Sequence, residues 1–333
     1  MATPPIVTQY AGPTPYKLTN VETNINVFNS NSPFYPNQLS DLAIWLDGTD
    51  VLGNGTILIP GDSIPTWVNK APNSITVTQT GLNGAAPICN DTSDGVLFIN
   101  PNSDSGNSGF NTTYGGGYIN ETIFILLNNN NSTNPSDKYT LLCPSVSGGR
   151  QLSLLSNSSA ISRLNTERFS VDTVLVAGDV TTGVNTLVTQ KNSLNLNVFH
   201  YINGLQIQSG EIPEGGITIG GTTVIGTNNY QNQGFNGNIS EIIIYSNALS
   251  DSDRQKVESY LFWKWNTFTL DPSNPYTTQA YSNQAYLYPN INSNLIPPIP
   301  RNLFSGLPTL DSNNYPLIKN FIQLPNRLRN VMF

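Results

Sequence analysis

At 333 residues and 38% hydrophobic content, the chain can bury a sizeable core in one large β domain or two smaller ones. Only 11% of residues are charged and the formal net charge is −7, which speaks against an electrostatic grip on nucleic acid or an anionic lipid surface. Asparagine, serine and threonine supply the polar surface instead, offering hydrogen bonds rather than charge.

The N-terminus, MATPPIVTQY, lacks a basic region followed by an apolar core, so no signal peptide is expected. No apolar run approaches the ~18 residues of a membrane-crossing helix, so no membrane span is expected either. Two cysteines, Cys89 and Cys143, do not make a disulfide framework in a chain of this length. A single bridge or two buried thiols would fit, and maturation in a reducing compartment favours the thiols.

Residues 1–37 hold six prolines, which fix φ and remove donors, so this segment reads as an extended arm. The first strong strand is LSDLAIWLDGTD, residues 39–50, closed by Gly48. Short runs follow at Thr56–Ile59, Ile64–Val68 and Ile75–Thr80, each bounded by Gly, Pro or Asn. The apolar runs Gly95–Ile99 and Thr122–Leu127 suit central strands. Further strands are expected at Gln151–Leu155, Val171–Ala177, Thr186–Gln190, Leu196–Ile202 and Ile217–Ile219. Asn203-Gly204 between VFHYI and LQIQ predicts a two-residue hairpin, because both positions favour positive φ.

The chain then reaches its organising stretch, Phe235–Trp265. Ile239–Tyr245 is β-branched and aromatic, suited to a central strand. Ser250 followed by Asp251 and Asp253 predicts a capped helix start, and Val257, Tyr260, Leu261 and Trp265 give it one apolar face. Short strands with one helix and no βαβ alternation predict an all-β, antiparallel two-sheet sandwich, with this helix covering a sheet. Residues 269–333 carry nine prolines and five tyrosines and read as a second extended arm. The predicted domain is therefore 38–268.

LAIWLDGTD, the WVNK segment at Trp67 with Pro72-Asn73 after it, GVLFI, the YINGLQI hairpin, TIGG and GNISEIIIY…VESYLFWKW occur in that order. Together they resemble the laminin-G-like, concanavalin-A-like jelly-roll domains of many bacterial, phage and large-virus proteins. The resemblance spans about residues 38–268 and implies the fold more than the function, since that fold hosts lectins, hydrolases and structural proteins.

Candidate sites carry bland readings beside functional ones. Trp45 and Trp67 serve as core aromatics or as sugar platforms. Asp47 and Asp50 flank Gly48 and either close a turn or contribute to a calcium site, with Asp91 and Asp94 as further oxygen donors. Tyr114, Tyr118, Tyr230 and Phe235 are the loop aromatics that would stack on sugar rings. Tyr276, Tyr281, Tyr286, Tyr288, Phe304, Phe321 and Phe333 are the large side chains through which the C-terminal arm would bind a partner.

Glycosidases of the resembling family use paired carboxylates on one strand, and their E-x-D-x-x-E pattern is missing here. Glu241 is the single acid in its strand, and Glu211 and Glu214 sit beside Pro213 in a turn. His200, the one histidine, lies in an apolar strand and reads as a packed residue. The expectation is a non-enzymatic structural or assembly protein with no cofactor, such as a minor capsid component of a large DNA virus assembled in host cytoplasm. Its partners would be other structural proteins. The alternative is a glycan-binding attachment module, and less favoured is a diverged glycoside hydrolase.

Overall fold

A computed structural model of the chain describes residues 34–55, 58–80, 87–89, 95–100, 109–115, 120–130, 138–144, 150–156, 161–168, 171–193, 197–211, 221–228 and 233–277. A short 3-10 turn at Pro36–Gln38 precedes β1 (Leu42–Asp47), β2 (Val77–Gln79), β3 (Ile88–Cys89), β4 (Val96–Phe98) and β5 (Phe110–Thr112). Then come β6 (Glu121–Asn129), β7 (Lys138–Pro144), β8 (Arg150–Ser156), β9 (Ile161–Arg168) and β10 (Val171–Thr181). The last elements are β11 (Asn185–Asn192), β12 (Asn197–Ile202), β13 (Leu205–Glu211), β14 (Thr223–Ile225), β15 (Gly237–Tyr245) and helix α1 (Asp251–Trp265).

The described strands form two antiparallel sheets stacked as a sandwich. One runs β13-β12-β11-β6-β15-β4-β3, with β1 also paired to β15. The other runs β10-β9-β8-β7-β14-β5-β2. Inward residues of both sheets, among them Ile44, Leu46, Phe98, Phe110, Ile125, Leu154, Leu164 and Ile242, make the inter-sheet core. Helix α1 forms a third layer on the outer face of the first sheet. Its Val257, Tyr260, Leu261 and Trp265 pack with Trp45, Phe124, Leu126, Leu187, Ile243 and Tyr245. Each such side chain contributes on the order of 1.5–3 kcal/mol when fully buried.

Local chemistry explains these elements. Ser250 Oγ accepts the Asp253 backbone N–H at 3.1 Å, and Asp251 and Asp253 occupy the first turn, where the helix dipole favours negative charge. Asn266 adopts a left-handed conformation and its N–H closes on the Phe262 carbonyl at 2.8 Å, ending the helix. The Asn203-Gly204 turn has both residues at positive φ, as a two-residue hairpin requires.

Several expectations differ from the structure. The residues described in the predicted strands Thr56–Ile59 and Ile64–Val68 lie outside the strands, and the bridges nearby are isolated ones at Ser63, Thr66 and Asn69. β3, β5, β7, β9 and β14 lie outside the predicted set. Ile217–Ile219 falls outside the described residues.

Residues flanking 38–268 on both sides also pack against the body. Phe34 is buried against the helix-side core, and Tyr245 Oη donates to the Pro36 carbonyl at 2.8 Å. Beyond the helix, Phe268 and Leu270 join that core, and the Asp271 N–H bonds the Asn203 carbonyl at 2.8 Å. The rest of both predicted arms lies outside the described residues. Cys89 and Cys143 are buried thiols, on β3 and β7 of opposite sheets, and are not joined to each other.

Candidate functional site

The densest cluster of ionisable groups lies where β1 and β15 meet α1. A register shift between Ile239 and Glu241 places a bulge at Ser240. Along an unbroken strand Ile239 and Glu241 would share a face. The bulge separates them: Ile239 enters the inter-sheet core, and Glu241 turns outward beneath the helix. Two glycines make room for this backbone. A Cβ on Gly48 would lie 2.5 Å from the Ser240 carbonyl oxygen, and one on Gly95, at φ +120°, 2.1 Å from that of Ile239.

Glu241 is fully buried and both its oxygens are occupied. Oε1 accepts from Trp45 Nε1 at 2.8 Å and from Tyr260 Oη at 2.9 Å. Oε2 accepts from Trp265 Nε1 and from Lys264 Nζ, each at 2.7 Å. Lys264 Nζ also lies 2.8 Å from Asp47 Oδ2, the residue paired with Glu241 across the β1–β15 ladder. Lys70 Nζ completes the cluster, 2.8 Å from Asp47 Oδ2 and 3.0 Å from Asp50 Oδ2. The backbone N–H and hydroxyl of Thr49 donate to Asp47 Oδ1 at 2.9 and 2.7 Å.

Burial alone would suppress ionisation of Asp47. The Lys264 and Lys70 ammoniums outweigh it and hold this carboxyl well below the usual range. Burial lifts Glu241 above its usual range, with Lys264 partly offsetting the effect and the Asp47 charge adding to it. Burial disfavours a charged Lys264, but Asp47 and Glu241 overcome this and raise its pKa.

A second buried pair fastens the other end of the helix. Arg254 grips Glu258 through Nη1 at 2.6 and 2.7 Å and lies 4.0 Å above the Tyr201 ring. Desolvation pushes the Glu258 carboxyl up to about 7, against the pull of Arg254. A third polar group bridges the sheets. Thr166 of β9 donates to Gln190 and contacts His200 Nε2 at 2.6 Å. The chain continues from Gln190 to Asn192 at 3.1 Å, then from Asn192 to Glu121 at 3.2 Å. Tyr114 Oη closes it by donating to Glu121 at 3.2 Å. Burial lowers the His200 imidazole to about 4, so it sits neutral in the interior.

The sequence-based candidates fare unevenly. Asp47 and Asp50 come together, but around lysine ammoniums rather than as converging oxygens. Among the described residues no group of three or more His, Cys, Asp or Glu side chains could hold a metal ion. Asp91 and Asp94 lie outside the described residues. Tyr114 and Phe235, expected as sugar platforms, are buried in the inter-sheet core because their rings fill the sandwich interior. Tyr118 and Tyr230 fall outside the described residues, as do Tyr281, Tyr286, Tyr288, Phe304, Phe321 and Phe333. Tyr276 is held against the helix: its Oη lies 2.9 Å from Ser252 Oγ, and its carbonyl accepts from Trp263 Nε1 at 3.4 Å.

Trp45 and Trp67 are core aromatics, each with its indole N–H satisfied. Sequence reasoning missed Lys70, Lys264 and the Arg254–Glu258 pair. The available signal was the placement of lysine inside WVNK and WKW, where a solvated charge is out of character.

No protein-family model and no curated protein matches the chain. Among solved structures, it is similar to the binding domain of botulinum neurotoxin serotype C1, with TM-score 0.46 and 14% identity over 68% of this chain and 53% of that one. The botulinum neurotoxin serotype D binding domain gives 0.44 and 16%, over 67% and 51%. The heptameric SAP-like pentraxin from Limulus polyphemus gives 0.34 and 16%, over 40% and 66%. The chain thus spans about half the length of the neurotoxin domains. At these values the likenesses carry no argument about ligand or partner.

Proposed function

We propose that the chain is a non-catalytic structural and binding protein, a jelly-roll body that takes its place in an assembled particle. The observation that supports this reading is the use the fold makes of its ionisable groups. Each lysine among the described residues stands in an ion pair within the body: Lys70, Lys138, Lys191, Lys256 and Lys264. Three of the buried carboxylates, Asp47, Glu241 and Glu258, fasten strand to helix or one helical turn to the next. Much of the buried charge is thus invested in rigidity, while asparagine, serine and threonine dominate the polar composition.

The finer reading is a minor virion component of a large DNA virus, assembled in host cytoplasm, whose proline- and tyrosine-rich terminal segments bind neighbouring capsid subunits. Its support is the composition of residues 1–33 and 278–333 and the resemblance of the landmark motifs. The resemblance of those motifs to laminin-G-like domains belongs to the same reading.

Sedimentation of the protein from its native source is the test. Co-sedimentation with a large particle, lost when residues 278–333 are removed, is the expected result. Recovery as a free monomer that binds selectively on a glycan array would overturn the assembly reading in favour of an attachment module.

A further inference from the structure

The Asp47–Lys264–Glu241 cluster has the chemistry of more than an ion pair. A primary amine, a carboxyl carbon and a second carboxylate able to relay protons meet in one water-poor pocket. Lys264 Nζ is 2.8 Å from Asp47 Oδ2 and 2.7 Å from Glu241 Oε2. The Asp47 and Glu241 residues are 2% and 0% exposed, beneath Trp45, Tyr260 and Trp265. In water an ammonium and a carboxylate do not condense, because solvation stabilises both ions and keeps the amine protonated. Burial removes that solvation, and proximity replaces a bimolecular encounter. Asp47 and Glu241 hold the Lys264 proton more firmly than water would, so the step depends on a proton acceptor in direct contact, which Glu241 Oε2 provides at 2.7 Å.

We propose that Lys264 and Asp47 join in an intramolecular isopeptide bond. The Lys264 ammonium passes one proton to Glu241 Oε2, whose proton affinity burial has raised. The freed Nζ lone pair attacks Asp47 Cγ, and the N–Cγ bond forms. Lys70 Nζ, 2.8 Å from Oδ2, and the two Thr49 donors on Oδ1 neutralise the charge that gathers on the tetrahedral oxygens. The Cγ–Oδ2 bond then breaks. Oδ2 departs as water, carrying the two protons that Nζ has lost, both relayed by Glu241. One ammonium and one carboxylate give one amide and one water; nothing is oxidised or reduced, and Glu241 and Lys70 return to their starting states.

The position gives the bond a purpose. Asp47 ends the first strand and Lys264 lies in the last turn of the helix, so the amide ties the two ends of the described body together. An ion pair there yields whenever water enters the helix–sheet seam. An amide does not, and it closes a long loop in the unfolded chain, which is where a cross-link reduces chain entropy most. This inference stands independently of the assembly reading.

Mass spectrometry of the full, denatured chain is the test. The expected result is a mass lower than that of the sequence by one water, with a branched proteolytic fragment joining the Asp47 and Lys264 segments. Lys264→Arg, which lacks the primary amine, should show the full mass, and Glu241→Gln should lower the linked fraction at least tenfold. Three results would overturn the proposal: the full mass with the two segments separate, a water loss that maps to a succinimide at one aspartate, or a link through Lys70 instead. The unsubstituted chain alone decides, so a variant that fails to fold leaves the outcome intact.

Discussion

Trp45 and Trp265 donate their indole N–H groups to opposite oxygens of one buried carboxylate, Glu241, at 2.8 and 2.7 Å. One tryptophan belongs to the first strand and the other to the end of the helix, so the carboxylate aligns both layers at once. Removing it takes the acceptor from two buried indole donors and the Tyr260 hydroxyl, and leaves Lys264 with one of its two carboxylates. Glu241→Ala is therefore expected to cost on the order of 3–5 kcal/mol, the range for breaking a buried charge network from one side. Urea unfolding should show the lowered midpoint with an unchanged slope. A loss under about 1 kcal/mol would mean that water readily reaches the cluster.

The elements that carried this network were legible in sequence, while the network itself was not. β1, the Asn203-Gly204 hairpin, β15 and the Ser250 cap all follow from local pattern: period-two apolar residues, a positive-φ dipeptide, a β-branched run and a capping hydroxyl. β9 escaped because ISRLNTER places only Leu164 among the inward-facing apolar residues, while Thr166 points inward to Gln190 and His200. Glu241 reads as a lone acid in an apolar strand because its partners Trp45 and Trp265 lie 196 and 24 residues away. The bulge that turns it toward the helix leaves no mark in the periodicity. Asp47 and Asp50 resemble a metal-binding turn for the same reason: nothing local reveals that Lys70 and Lys264 fold over them.

The glycines around the bulge separate steric from conformational cost. Gly95→Ala puts a Cβ 2.1 Å from the Ile239 carbonyl at φ +120°, where β15 cannot retreat without disturbing the Glu241 bulge. Gly55 also has positive φ, +73°, but a Cβ there meets nothing within 4 Å. Gly55→Ala should cost roughly 1–2 kcal/mol, the left-handed penalty alone. Gly95→Ala should cost clearly more and shift the near-ultraviolet signal of Trp45 and Trp265. Equal losses from the two variants would show that the three strands are less tightly joined at Ser240.

The start of the helix makes a smaller, cleaner prediction. Ser250 Oγ accepts the Asp253 N–H at 3.1 Å and lies 2.9 Å from the Asp253 carboxylate. Ser250→Ala is expected to lower stability by about 1 kcal/mol, and Ser250→Asp to restore most of it. Thermal unfolding of both variants checks this. A neutral alanine substitution would assign the helix start to packing alone.

Two buried groups tilt the pH dependence in opposite directions. Burial raises Glu258 from 4.5 to about 7, so the folded state holds its proton more tightly than the unfolded chain. Its contribution to stability is fully present below pH 4.5 and is lost as pH rises toward 7. Burial lowers His200 from 6.5 to about 4, so the folded state keeps it neutral. Its contribution is fully present above pH 6.5 and is lost as pH falls through 4. Between pH 4.5 and 6.5 both act, each with a slope of roughly 1.4 kcal/mol per pH unit and opposite sign. Relative to the unsubstituted protein, Glu258→Gln should therefore gain stability with rising pH across this window, and His200→Gln should lose it. Urea unfolding at intervals across the window reads both slopes. If both variants run parallel to the unsubstituted protein, neither buried group changes its protonation on unfolding, and the helix pair and the inter-sheet polar chain are wetter than their burial implies.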